Sequence, residues 1–224
     1  MAYIDLGAVA GGNVITSAWG NQVRANFEAG AVAAMAAKGD MFIGTGADAG
    51  ARLAAGADDS ILVYDSGEAT GMATQIVPAV RVYSNVAFDP TPTAWDSIDF
   101  TTERFDTDGM WAIGTPSRLT VPAEGDGLYL IGANIALDLA GEVDGRVMIG
   151  LRLLLNNATV IAQHRVIEMQ NVGGTAAGEI AVSTVYAITA TDYVEAQVYT
   201  NYDVDVLASG NYSPEFWAIW QRRP

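Results

Sequence analysis

Cysteine is absent from this 224-residue chain, lysine occurs once (Lys38) and histidine once (His164). The first absence excludes disulfides, thiolate metal sites and a cysteine nucleophile. A small secreted scaffold usually relies on disulfides, so this chain must hold together by packing or by assembly. A single histidine excludes histidine-rich metal sites. Eleven Lys+Arg against 26 Asp+Glu leave a net charge of −15. That balance excludes the dense cationic surface that nucleic acids or an anionic bilayer require. No apolar run reaches membrane-spanning length: the nearest, Leu6–Val23, is broken by Gly11, Gly12, Asn13, Asn21 and Gln22. The first residues carry Asp5 and no basic stretch, unlike a secretory leader. No membrane insertion and no nucleic acid are therefore expected.

What is present is half hydrophobic, and much of that is small: 37 Ala stand beside 24 Gly. With only 17% charged residues, disorder is excluded for most of the chain. Three textures divide it. Residues 1–37 lead into a helix that Thr16 and Ser17 can cap, with Trp19, Val23 and Phe27 at i, i+4 and i+8, and Val32 and Met35 continuing the stripe. A helix of about 20 residues would span roughly 30 Å. Residues 38–77 hold two short apolar bursts, Met41–Ile43 and Ile61–Tyr64, among Gly, Ala and Asp. Neither can build a core alone, and identical chains wound round one axis would supply the missing contacts. Gly44, Gly46 and Gly50 lack the spacing and following helix of a dinucleotide fingerprint, so they read as turn punctuation.

Residues 78–224 are a series of strand-like runs: 79–86, 97–102, 118–121, 128–137, 146–155, 160–167, 179–189, 193–200 and 216–221. Alternation is plain in EIAVSTVYAIT, which puts Ile180, Val182, Thr184, Tyr186 and Ile188 on one face. Turn signals separate the runs: Asp108-Gly109, Glu124–Gly127, Asp144-Gly145, Asn156-Asn157 and Gly173-Gly174. Many short strands with no helix-period segment among them mean an antiparallel sandwich.

Candidate chemistry is thin. Acid pairs such as Asp203/Asp205, Asp106/Asp108 and Glu142/Asp144 raise the idea of a two-carboxylate hydrolase, but each sits in a predicted loop, where turn acids are solvated. His164 has no G-x-S-x-G elbow to serve and reads as a structural or interface residue. An EF-hand alignment of FDTDGMW fails, because Arg104 and Thr115 fall where carboxylates are needed. A cation on an assembly axis stays open; no cofactor and no catalytic residue are expected. Trp95, Tyr199, Tyr202, Tyr212, Trp217 and Trp220 can stack on sugars, fill a core or line an interface.

The segment FDTDGMWAIGTPSRLTVPAEGDGLYLIGANI carries an acidic turn, an apolar residue, and then proline, glycine and tyrosine before a strand. With Asp106, Gly109, Trp111, Pro122, Gly127 and Tyr129 at the marker positions and the aromatic ending SPEFWAIWQRRP, residues 78–224 resemble the jelly-roll domain of the complement globular head and tumour-necrosis-factor family. The GDG insertion departs from that pattern. ITSAWGNQVRANFEA and KGDMFIGTGADAGARLAAGADDSILVYDSGEATGM are similar to segments of tailed-bacteriophage virion proteins. Together these resemblances imply a mainly β chain: an N-terminal attachment segment with a helix (1–37), an intertwined Gly/Ala-rich shaft or linker (38–77) and a jelly-roll knob (78–224). They imply a non-enzymatic, homotrimeric virion fibre or appendage, attached to other virion proteins through residues 1–37. Its knob would meet a host-surface glycan or receptor. The alternatives are a capsid decoration protein and, in another class, a polysaccharide-degrading tailspike. Trimer contacts are expected from Trp19, Val23, Phe27, Phe216, Trp217 and Trp220. On this reading the chain is made in the bacterial cytoplasm and resides in the virion.

Overall fold

Alternating apolar residues make strands because every second side chain leaves the sheet on the same face. The computed structural model describes residues 17–28, 34–46, 49–58, 60–139, 146–169 and 177–223. The chain divides at Ile76/Val77 into two compact units.

Among its described residues the first unit holds helix α1 (Ser17–Glu28) and four strands. The predicted continuation of the helical stripe to Val32 lies outside the described residues. Strands β1 (Met41–Gly46) and β2 (Ala49–Leu53) form one antiparallel hairpin, and β3 (Ser60–Tyr64) and β4 (Met72–Ile76) form another. Each is a two-stranded sheet. Gly44 and Gly46, predicted as turn residues, belong to β1, and Gly50 belongs to β2. A Cβ on Gly50 would come within 2.4 Å of the Phe42 ring, so close ring contact is what requires glycine there. Asp40 ties the first hairpin together. Its Oδ2 accepts the N–H groups of Ala36 and Ala37 at 2.6 and 2.7 Å, its Oδ1 accepts that of Ala55, and Arg52 Nε lies 2.8 Å away. These donors, led by the Ala37 N–H, outweigh partial desolvation and pull the Asp40 carboxyl down to about 2.

The second unit is a sandwich of two antiparallel sheets. Its strands are β5 (Ala79–Tyr83), β6 (Trp95–Ser97), β7 (Thr102–Asp106), β8 (Arg118–Thr120), β9 (Gly127–Asp138), β10 (Arg146–Leu155), β11 (Thr159–Met169), β12 (Ala177–Ile188), β13 (Tyr193–Thr200) and β14 (Glu215–Arg222). One sheet runs β12-β9-β14-β5-β7; the other runs β11-β10-β13-β6, with β8 also on β13. The pairings are nested: β5 with β14, β8 with β13, β9 with β12, and β10 with β11. A long hairpin rolled up so that β9 also meets β14 and β10 also meets β13 has jelly-roll connectivity. The tip of that hairpin is Asn156-Asn157, both at φ near +50° (50° and 53°), the left-handed pair that a two-residue reverse turn needs.

The predicted strand over 97–102 is not one strand. β6 ends at Ser97 on one sheet and β7 begins at Thr102 on the other, and the chain between them crosses the sandwich. Ile98 and Phe100 enter the core on the way, both fully buried. They keep the two-residue alternation of a strand, so the crossing is invisible to pattern alone. The core is completed by Val80, Val82, Tyr129, Ile131, Leu151, Leu153, Phe216 and their neighbours.

The marker residues of the jelly-roll resemblance gather around one seam. Asp106 accepts the N–H groups of Asp108, Met110 and Trp111, and Trp111 Nε1 donates to the Pro116 carbonyl. The buried Tyr129 hydroxyl donates to the Gly125 carbonyl at 2.7 Å. Burial, with Asp108 and Asp126 adding to it, pushes that phenol above its ordinary range. Trp220 Nε1 donates to the Asp126 carbonyl, and its ring lies where a Cβ on Gly127 would stand.

Candidate self-association face

Residues directly opposite one another in an antiparallel pair share a face, so register defines what each sheet turns outward. Across β12, β9, β14 and β5 one outward row reads Val185, Leu130, Ile219, Ala79. The next reads Ser183, Gly132, Trp217, Arg81 and, on β7, Phe105. Val185 is 57% exposed and Phe105 43%, while Leu130, Trp217 and Ile219 are half-buried. Trp217 lies flat over Gly132: a Cβ there would meet the indole at 2.3 Å. At one corner Glu215 is held by Arg81 and by Arg104 Nε, the latter at 2.7 Å, and Arg104 also stacks 4.5 Å above Tyr83. The result is a largely apolar band across the sheet, bounded by a cluster in which Arg81 and Arg104 share the one carboxylate of Glu215. Charged residues are few on it in a chain with 26 acids. Contiguous apolar surface of this kind is a candidate for association.

Strand β14 divides its aromatics expected at a trimer contact between two faces. Phe216 is fully buried and Trp220 is 6% exposed, both in the core of their own domain. Phe216 packs on Phe100 with ring centroids 5.4 Å apart. Phe216 and Trp220 thus fill the core of their own domain, while Trp217 lies half-buried on the outer face. On α1, Trp19 is half-buried and Val23 is 37% exposed; the Phe27 side chain lies outside the described residues.

The first unit adds apolar surface of its own. Phe42, Ile61, Leu62 and Ile76 are each 40% to 42% exposed on the two hairpins, and Tyr64 is 89% exposed. A two-stranded ribbon lacks a second layer to bury such residues.

Among the described residues, the predicted acids serve turns or face solvent. Asp106 is committed to its three backbone donors. Asp203 and Asp205 are exposed, and together with some desolvation they raise the carboxyl of exposed Asp89, Asp203 most strongly. Desolvation, then Asp106 and Glu124, raises Asp108. Glu142 and Asp144 lie outside the described residues. A shallow cleft of about 310 Å³ beside the apolar band is lined by Asn134, Glu179, Asn211 and Tyr212, with Glu179 its one carboxylate. Among the described residues, no three His, Asp or Glu side chains are placed to hold a metal ion. His164 projects from edge strand β11 with Nδ1 3.0 Å from the Ala181 carbonyl on β12, which stitches the edges of the two sheets together.

No family model and no curated protein matches this chain. Among solved structures, the globular domain of zebrafish complement 1qA protein is similar, with a TM-score of 0.42 and 13% identity, over 66% of this chain and 99% of that one.

Proposed function

We propose that this chain is a structural protein of a bacteriophage virion, a homotrimeric fibre or short appendage with residues 1–37 attached to the particle and the sandwich displayed. The observation that carries the assembly is the outward apolar band of Val185, Leu130, Ile219, Trp217 and Phe105, which a second and third copy would cover. The two hairpins, exposing Phe42, Ile61, Leu62 and Ile76, gain their missing layer when three copies run alongside one another. The similarity of residues 13–72 to phage virion segments supplies the setting, and their position before the knob supplies the polarity.

The reading is non-catalytic. Asp106 serves a turn, and Asp108, Asp203 and Asp205 are exposed, which favours a display role over a polysaccharide hydrolase. Incubating the protein with host polysaccharide should release no reducing ends. Release that Asp203→Asn abolished would replace this reading with the hydrolase.

Localising the chain in intact particles tests the setting, and deleting residues 1–37 tests the polarity. The truncated protein should remain soluble and trimeric yet fail to join particles. Normal incorporation would reverse the assignment of anchor and knob.

A further inference from the structure

The second sheet turns a different chemistry outward. Across β11, β10, β13 and β6 one row reads Arg165, Gly150, Tyr199, Trp95, and the next reads Gln163, Arg152, Gln197, Ser97. Gly150 makes the seat for the indole, because a Cβ there would stand 2.8 Å from Trp95 Cη2. Trp95 and Tyr199 lie with ring centroids 5.5 Å apart and planes inclined at 47°. Two guanidiniums share this aromatic pair: Arg152 sits 4.3 Å from the Trp95 centroid, and Arg165 sits 5.3 Å from both rings. A polar relay fixes Arg152, whose Nε donates to Gln197 Oε1 at 2.8 Å while Gln197 Nε2 donates to Ser97 Oγ.

Among the described residues neither arginine has an acid partner. On the same sheet Arg118 has Glu195 at 3.0 Å, and on the other sheet Arg81 and Arg104 share Glu215. Among the described residues no carboxylate lies within ion-pair distance of Arg152 or Arg165. With more than twice as many acids as bases in the chain, two adjacent arginines with no acid among the described residues are a local exception. Their proximity has a cost. Burial first, and then the charge of Arg165, lower the pKa of Arg152. An anion between the two forks would relieve that repulsion with charge-assisted hydrogen bonds.

We infer that Trp95, Tyr199, Arg152 and Arg165 form a binding site for a saccharide bearing a carboxylate. The half-buried Trp95 and Tyr199 rings, inclined to each other, hold the guanidiniums over their faces and give a sugar an apolar border, and the two guanidiniums take the carboxylate. A glycan with one carboxylate per sugar or per disaccharide carries sparse charge, so the local arginine pair outweighs the overall negative charge of the protein. A nucleic acid, with its dense phosphate charge, meets that repulsion along its whole length. The inference deepens the host-surface reading but needs only the purified protein. Failure to bind would leave the virion assignment standing, and absence of the chain from particles would leave this site standing.

The test titrates the full-length protein with three acidic probes (3′-sialyllactose, a hyaluronan tetrasaccharide and digalacturonate) against maltotetraose and a dT10 oligonucleotide, read by tryptophan fluorescence and calorimetry. At least one acidic probe should bind, and maltotetraose and dT10 should not. Arg165→Ala removes an exposed side chain and should weaken binding about tenfold or more while leaving the melting temperature unchanged. Arg152→Gln combined with it should abolish binding. The inference is overturned if no acidic probe binds, if maltotetraose or dT10 binds as tightly, or if Arg165→Ala binds like the parent protein.

Discussion

Strand β14 places Phe216 and Trp217 on opposite faces, and exchanging each for a small residue separates folding from assembly. Phe216 is fully buried, touches Phe100 and lies between Val82 and Ala133 on the neighbouring strands. Truncating such a phenylalanine to alanine costs about 3–5 kcal/mol, with the lost ring pair favouring the upper half of that range. Trp217 is half-buried on the outer face, so Trp217→Ser should cost the isolated domain less, about 1–2 kcal/mol. Urea unfolding followed by circular dichroism at two protein concentrations distinguishes the two effects. Phe216→Ala should lower the midpoint at both concentrations while the folded fraction still associates. Trp217→Ser should remove the dependence of the midpoint on concentration and leave the fold intact. A Phe216→Ala protein as stable as its parent but unable to associate would refute this account of the strand.

Three further outcomes follow from local geometry. Asp40 is more acidic folded, at about 2, than its ordinary 3.8, so the stability it contributes is present above pH 3.8 and fades as pH falls toward 2. Carboxyl NMR should show Asp40 titrating well below the exposed acids, and Asp40→Asn should remove that acid-sensitive step from the first hairpin. Gly127→Ala drives a Cβ to within 2.1 Å of Trp220 Nε1 and 2.8 Å of the Arg222 carbonyl oxygen, and should cost about 1–3 kcal/mol with a shifted tryptophan emission. Tyr129→Phe leaves the Gly125 carbonyl without its buried donor and should cost about 1–3 kcal/mol in the same urea assay.

Much of the sandwich was legible in residue pattern because strands such as β5 and β12 keep a two-residue period. β12 was readable to its face: Ile180, Val182 and Ile188 are buried, while Glu179, Ala181, Ser183, Val185 and Ala187 are exposed. Pattern failed where the period carries no information about which sheet is occupied, as at Ile98 and Phe100 in the crossing segment. It failed again in β14, where both faces are apolar. There the pairing of Phe216 with Val82 and Ala133, not composition, decides which side is core. The Trp95–Arg152–Arg165–Tyr199 cluster was illegible for a third reason. Its members are drawn together only by the register of four strands, and Gly150, which makes room for the indole, is distinguished from other glycines only by what lies above it.

The outward band of the five-stranded sheet as the seat of a trimer is the central claim, and sedimentation equilibrium at micromolar concentration tests it most directly. The parent protein should sediment at three times the 23.5 kDa chain mass, and Ile219→Asp, which sets a charge in the middle of the band, should sediment as the single chain with an unchanged circular dichroism spectrum. A parent protein that sediments as one chain, or an Ile219→Asp protein that remains trimeric, would contradict it.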